Sequence, residues 1–200
     1  DLRDTDQAVV LSWAGFRLRA LGRLREALEP TQASVDMRVQ QRKWKSAARN
    51  ANNLSELQLT LGNVVAAVTS GQRGVDYADQ SGGVFERMSN RSVRADALHQ
   101  AGETALAVGL FNEAEQIQLV HEPRYPRLHA LSGFKYCDLL LAQGKISEVL
   151  ERAKYALEIS TERLVLLPIA LNQLILGRAY LQQGDFSQAV PWLGQAIAGL

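Results

Sequence analysis

"LQQGDFSQAV", Leu181 to Val190, and "LRALGRLREAL", Leu18 to Leu28, share one design: a run of helix formers closed by a glycine, then an alanine five residues on. A glycine in that place supplies the left-handed backbone that ends a helix without steric cost. The punctuation recurs at Gly22, Gly62, Gly102, Gly144 and Gly184, at intervals of 40, 40, 42 and 40 residues. A fixed period of this size marks stacked supersecondary units. Seven residues before each turn stand the small residues Gly15, Ser55, Ala95, Cys137 and Gly177, and five after it Ala27, Ala67, Ala107, Val149 and Ala189. Nine after it come Thr31, Gly71, Phe111, Ala153 and Leu193, and twelve after it Ser34, Gly74, Ala114, Ala156 and Ala196. Offsets of five, nine and twelve fall on one face of a helix. A second periodic run precedes each glycine, as in "LNQLILGRAYLQQ", Leu171 to Gln183. Each unit is therefore two antiparallel helices joined at the glycine, with small residues where the pair must approach closely.

The fold this predicts is all-α, a right-handed α-solenoid of about five helix-turn-helix repeats. They fall at roughly 7–44, 45–83, 84–123, 124–160 and 161–200 in a single superhelical domain over 1–200. The chain has 200 residues, 46% of them hydrophobic, enough for a substantial core. Lys and Arg total 22 against 21 Asp and Glu, so net charge gives no bias towards nucleic acid or an anionic membrane. One cysteine excludes an internal disulfide, and a cytoplasmic location is the expectation. The longest apolar run, "LVLLPIAL" from Leu164 to Leu171, is far short of a membrane span. The opening "DLRDTDQ" and the closing "QAIAGL" read as cuts through a larger polypeptide.

The pattern resembles the tetratricopeptide repeat (TPR), whose signature places a large and a small residue on the first helix, a turn glycine, then alanine, an aromatic and alanine on the second. Leu176, Gly177, Tyr180, Gly184, Phe186, Ala189, Leu193 and Ala196 all fall on signature positions, and the third unit follows with Leu98, Gly102, Ala107, Phe111 and Ala114. The units depart at Arg94, Gln58 and Gly71. The second helix of the second unit carries two glycines, each costing about 1 kcal/mol relative to alanine, and is expected to be the loosest element. The period exceeds the usual TPR length by about six residues, which implies longer helices. The stretches "NANNLSELQLTLG", "RMSNRSVRADALHQAG" and "RYPRLHALSGFKYCDLLLAQG" resemble long-repeat arrays in large bacterial multidomain signalling proteins, where the array is a sensor or an oligomerisation arm. No phosphate-binding loop of the "GxxxxGK[ST]" type accompanies them.

Catalytic and metal chemistry has little support. His99, His121 and His129 lack metal-ligand spacing, and the Asp96–His99 pair has no nucleophile beside it. The reading is therefore non-enzymatic, without cofactor or metal. Cys137 stands at a small packing position. "RVQQRKWKSAAR", Arg38 to Arg49, concentrates basic residues around Trp44, but a solvated helix face accounts for it better than nucleic-acid binding. "HEPRYPR", His121 to Arg127, holds two prolines and reads as a long connector. Pro191 is placed in the second turn of the last helix.

The resemblance implies that first helices line a concave groove that binds a peptide or partner protein. Carried onto this chain, the contact positions are Arg49, Asn52 and Glu56, then Ser92, Asp96 and His99, then Phe134, Asp138 and Arg178. The mixed signs of these residues do not match a basic clamp for an acidic tail. The alternative is structural self-assembly through the solenoid ends, a homo-oligomer formed by the apolar, uncapped C-terminal helix "VPWLGQAIAGL".

Overall fold

The computed structural model describes residues 4–199. Among them are ten α-helices and no strand. They are α1 (Asp4–Ala20), α2 (Leu24–Gln40), α3 (Trp44–Thr60), α4 (Val64–Ser81) and α5 (Val84–Gln100), followed by α6 (Thr104–His121), α7 (Ala130–Ala142), α8 (Ile146–Glu162), α9 (Leu166–Gln183) and α10 (Phe186–Gly199). The helices pack in consecutive pairs, the TPR-like solenoid arrangement. Two compact units are present, one running to Ile117 and the other from Gln118 onward.

All five repeat glycines turn the chain within a pair with positive φ, from 71° at Gly144 to 84° at Gly102. At each, the backbone closes with paired hydrogen bonds, such as Gly22 N–H to Arg19 C=O at 3.0 Å and Arg23 N–H to Leu18 C=O at 2.9 Å. The second bond reaches back five residues, the Schellman closure that satisfies the last carbonyls of a helix. The same closure joins the first pair to the second and the fourth to the fifth, at residues other than glycine. Arg42 and Leu164 have φ of 53°, and Lys43 and Val165 N–H reach back to the Arg38 and Ser160 carbonyls at 2.9 and 3.0 Å. From Gly22 to Gly102 a left-handed residue thus falls every 20 residues, at Gly22, Arg42, Gly62, Gly82 and Gly102. The long period is accordingly two helices of 17 or 18 residues with tight turns on both sides.

The predicted small positions are buried contact points. Ala27, Ala67, Ala107 and Val149 are fully covered, as are Ala95 and Ala153. Cys137 is buried in the first helix of its pair. At Gly177 a β-carbon would come within 2.6 Å of Leu193 Cγ, so the glycine is what lets α9 seat that leucine. Phe111, the largest fully buried side chain, stands at the position corresponding to Leu193 and Thr31. The glycines of α4 are contact points too: a side chain on Gly71 would meet the Arg94 Cα at 3.1 Å. What composition suggests is a loose helix is one whose backbone lies directly against α5. Pro191 lies inside α10, and Pro30 inside α2.

Left-handed backbone costs non-glycine residues about 1–2 kcal/mol in steric strain. Leu164 and Arg42 are exposed, so replacing them forfeits little burial. Arg42→Gly and Leu164→Gly are each expected to stabilise the protein by about 0.5–1 kcal/mol, and Gly62→Ala to destabilise it comparably. Urea unfolding of the three variants checks the opposite signs.

Candidate functional site

In the first compact unit the first helices α3 and α5 carry most of the sequence-derived contact residues, and α1, which carries none of them, adds a cavity of about 250 Å³. Trp13 and Phe16 wall it, both more than half exposed, with ring centroids 5.9 Å apart and planes at 89°. The Arg17 guanidinium lies over the Trp13 ring, 5.9 Å from its centroid. The floor is a buried polar chain contributed by three helices. Asn50 Nδ2 on α3 donates to Ser34 Oγ on α2 at 2.6 Å, and Ser34 donates onward to the Ala8 carbonyl at 3.0 Å. Ser12 Oγ donates to Asn50 Oδ1 at 3.3 Å, and Thr31 Oγ1 to the Ala27 carbonyl at 2.7 Å. At the rim Arg19 donates to the Asn53 carbonyl at 3.3 Å and lies 3.8 Å from Glu56. Ser12 and Phe16 hold the register positions of Asn52 and Glu56, counted back from Gly22 and Gly62. Extending the contact register to the first unit is the sequence signal that finds them.

Arg49, Glu56, Asp138 and Arg178 are each paired with a residue of a neighbouring first helix. Arg49 on α3 grips Glu86 on α5 through Nη2 at 2.9 Å and Nε at 3.0 Å, with Lys45 Nζ at 3.8 Å from the same carboxylate. Glu86 is 2% exposed, so these cations neutralise a buried charge whose other favourable partner is the start of its own helix. In the second unit Asp138 on α7 and Arg178 on α9 pair at 2.7 Å. Asn52 is half-buried with Oδ1 inaccessible and without a hydrogen-bond partner. Asp96, His99 and Phe134 are half-buried on the first helices α5 and α7. Ser92 differs from its expected role: it is buried, with its hydroxyl on the Met88 carbonyl at 3.1 Å, and offers no polar group to a partner.

The remaining candidates have local structural roles. The basic stretch is divided, with Arg38 buried and bonded to Gln41, and Lys45 and Arg49 directed at Glu86. Trp44 stacks on Tyr77 at 6.0 Å. In the connector after α6, Gln118 Nε2 donates to the Tyr125 carbonyl at 2.9 Å, and the Arg163 and Arg124 guanidinium groups lie 4.7 and 5.2 Å from the Tyr125 ring. Burial holds the His129 imidazole below its ordinary pKa, against the raising effect of a hydrogen bond with the Arg127 carbonyl. Among the described residues no group of three or more His, Cys, Asp or Glu could hold a metal ion, and no helix is long and apolar enough to cross a membrane.

The comparisons agree with the fold. Residues 173–195 match the family described as tetratricopeptide repeat, the span in which the sequence signature is most complete. Among solved structures, the chain is similar to the nearly identical TPR-like repeats of a candidate kinesin light chain from Podosopora anserina, with a TM-score of 0.69 at 20% identity. That match covers 100% of this chain and 97% of the other. A thermophilic TPR protein from Thermus thermophilus gives a TM-score of 0.68 at 20% identity over 98% of this chain and 91% of that one. BtubC from P. vanneervenii gives 0.61 at 14% over 100% and 91%. No curated protein matches the chain. At these identities the likeness establishes a TPR-like fold.

The first unit also carries an acid-sensitive clamp. Arg91, buried on α5, donates to both Asp79 oxygens at 2.9 and 3.0 Å, and its Nε to Glu113 at 2.9 Å. The Arg91 hydrogen bonds lower the Asp79 pKa against the opposing effect of burial, helped by Arg87. A carboxylate lowered in the folded state stabilises the protein above its unfolded value, about 3.9, and loses that contribution as pH falls through the folded value. The stability difference between wild type and Asp79→Asn is therefore expected to be constant above about pH 5 and to shrink as pH falls below about 4. Urea titrations across this range measure it.

Proposed function

We propose that this chain is a non-enzymatic protein-binding module that holds a peptide or partner protein along its first-helix faces. The observation that supports this most directly is the Trp13–Phe16 cavity, where aromatic walls stand exposed over a satisfied polar floor. Exposed aromatics beside ordered polar groups are the composition of interface anchors. Asn52, Glu56 and Asp96 continue the same face of the first unit, and Asp138 with Arg178 occupies the corresponding register in the second. A place in a larger bacterial signalling protein, acting in the cytoplasm as its sensor array, is part of this proposal and rests on the sequence resemblance. Selection from a displayed peptide library against the wild-type chain is expected to enrich a common motif. Alanine at Asn52, Glu56, Asp96 and Asp138 together should weaken its binding about ten-fold or more, since a few interface residues carry most of the energy. Unchanged affinity in that variant removes the first-helix face.

A second reading, assembly through the helix ends, has its own support. Ile197 is 77% exposed thirteen residues after its turn glycine, where the corresponding Val35 and Val75 are 1% and 6% exposed. Phe186 and Val190 extend the uncovered face of α10. If this face self-associates, sedimentation of the chain is expected to be concentration-dependent and Ile197→Lys to give a monomer. Monomeric wild type at high concentration counts against the reading.

A further inference from the structure

The cavity of the first unit has hydrogen-bonding chemistry specific enough to define its occupant, and the following rests on the peptide-binding reading. Its volume, about 250 Å³, lies below the roughly 300–1,000 Å³ of sites for drug-sized ligands and suits a single large side chain. Trp13 and Phe16 already stand edge to face, and a third ring set against the pair from the cavity extends the arrangement aromatic quadrupoles favour. The polar floor then selects among rings. Every hydroxyl proton there is already committed: Ser12 to Asn50 Oδ1, Ser34 to the Ala8 carbonyl, Thr31 to the Ala27 carbonyl. Ser34 Oγ also accepts from Asn50, and Thr31 Oγ1 is packed against Gly15, where a β-carbon would stand 2.3 Å from it, which leaves Ser12 Oγ as the hydroxyl oxygen of the lining with an unused lone pair. An occupant without a donor buries that lone pair unpaired, and a carboxylate sets charge against it. The rim cation Arg19 is turned to the Asn53 carbonyl and Glu56.

We propose that this cavity is an anchor site for a tryptophan or tyrosine side chain of a bound peptide, with the indole N–H or phenol O–H donated to Ser12 Oγ. The corresponding position in the second repeat has Asn52 and Glu56 in place of Ser12 and Phe16, so no second aromatic-walled cavity with this floor is repeated there. A peptide ligand thus takes its register from one ring at the α1 end of the first unit.

The test uses N-acetyltryptophanamide, its 1-methylindole derivative and free indole, each titrated into the 200-residue chain while the Trp13 indole N–H is followed by NMR. The expected result is saturable binding of N-acetyltryptophanamide at millimolar concentration, weakened about three- to ten-fold by methylation of the ring nitrogen, the worth of one hydrogen bond. The Ser12→Ala variant, its fold checked by circular dichroism, should bind the two amides equally. Trp13→Ala, at an exposed site, should abolish binding, read there from the ligand's own resonances. Equal binding of the two amides to wild type, no saturable binding, or binding that survives Trp13→Ala each overturn the proposal. Binding of free indole with rejection of the amide overturns the peptide assignment. These outcomes separate it from the broader reading: a library motif lost on the four alanines with no tryptophanamide binding retains the first-helix face and eliminates this anchor.

Discussion

The structure depends on a steric constraint at single residues: a backbone forced into left-handed geometry after each 17- or 18-residue helix through the first unit. At Gly22, Arg42, Gly62 and Gly102 that geometry lets the N–H of the following residue reach a carbonyl five residues back, reversing the chain with few residues. Helix length and turn length then set the register with which one helix meets the next. The small residues at the centre of each pair work only in this register, because Gly177 meets Leu193, and Gly71 meets Arg94, only if the helices before them end at the right residue. Most of the remaining stability follows from apolar burial against those close approaches.

A second layer of order comes from charge. Arg19–Glu56 and Arg49–Glu86 in the first unit, and Asp138–Arg178 in the second, link the first helix of one pair to that of the next. Pairs this exposed contribute little individually, the buried end of the Glu86 pair excepted. They tie the first helices of successive pairs together within each unit. The ring-lined cavity of α1 stays open beside them, while Asn52 Oδ1 and Ser92 are withdrawn into the packing.

The sequence exposes this fold wherever a turn demands glycine, and hides it wherever another residue takes the same backbone. Gly22 through Gly184 are legible because left-handed geometry selects for glycine; Arg42 and Leu164 adopt it with nothing in their side chains to announce it. Small residues facing a neighbouring helix are likewise readable from their spacing. The site is less so. Phe16 shares a register position with Glu56, Asp96, Asp138 and Arg178, and a search for polar contacts along that position steps over an aromatic. Glu86 reads as an ordinary first-turn carboxylate on a wet face, and only the arrival of Arg49 from 37 residues earlier shows it buried. Ser92 fails as a contact for the matching reason: its burial is decided by neighbours outside its own helix.

The uniform cadence of left-handed turns has a consequence for how the chain is made. The linking ion pairs that cross helices join residues about forty positions apart or closer, as with Arg19 to Glu56, Arg73 to Asp36 and Arg163 to Glu122. Low sequence separation keeps the loop-closure entropy of each step small and favours rapid folding. No helix must wait for a distant strand or for the last residue of its unit. Within each unit, a pair leaving the ribosome finds the surface of the pair before it already synthesised, so each unit is suited to assemble in the direction of translation, one hairpin onto the last.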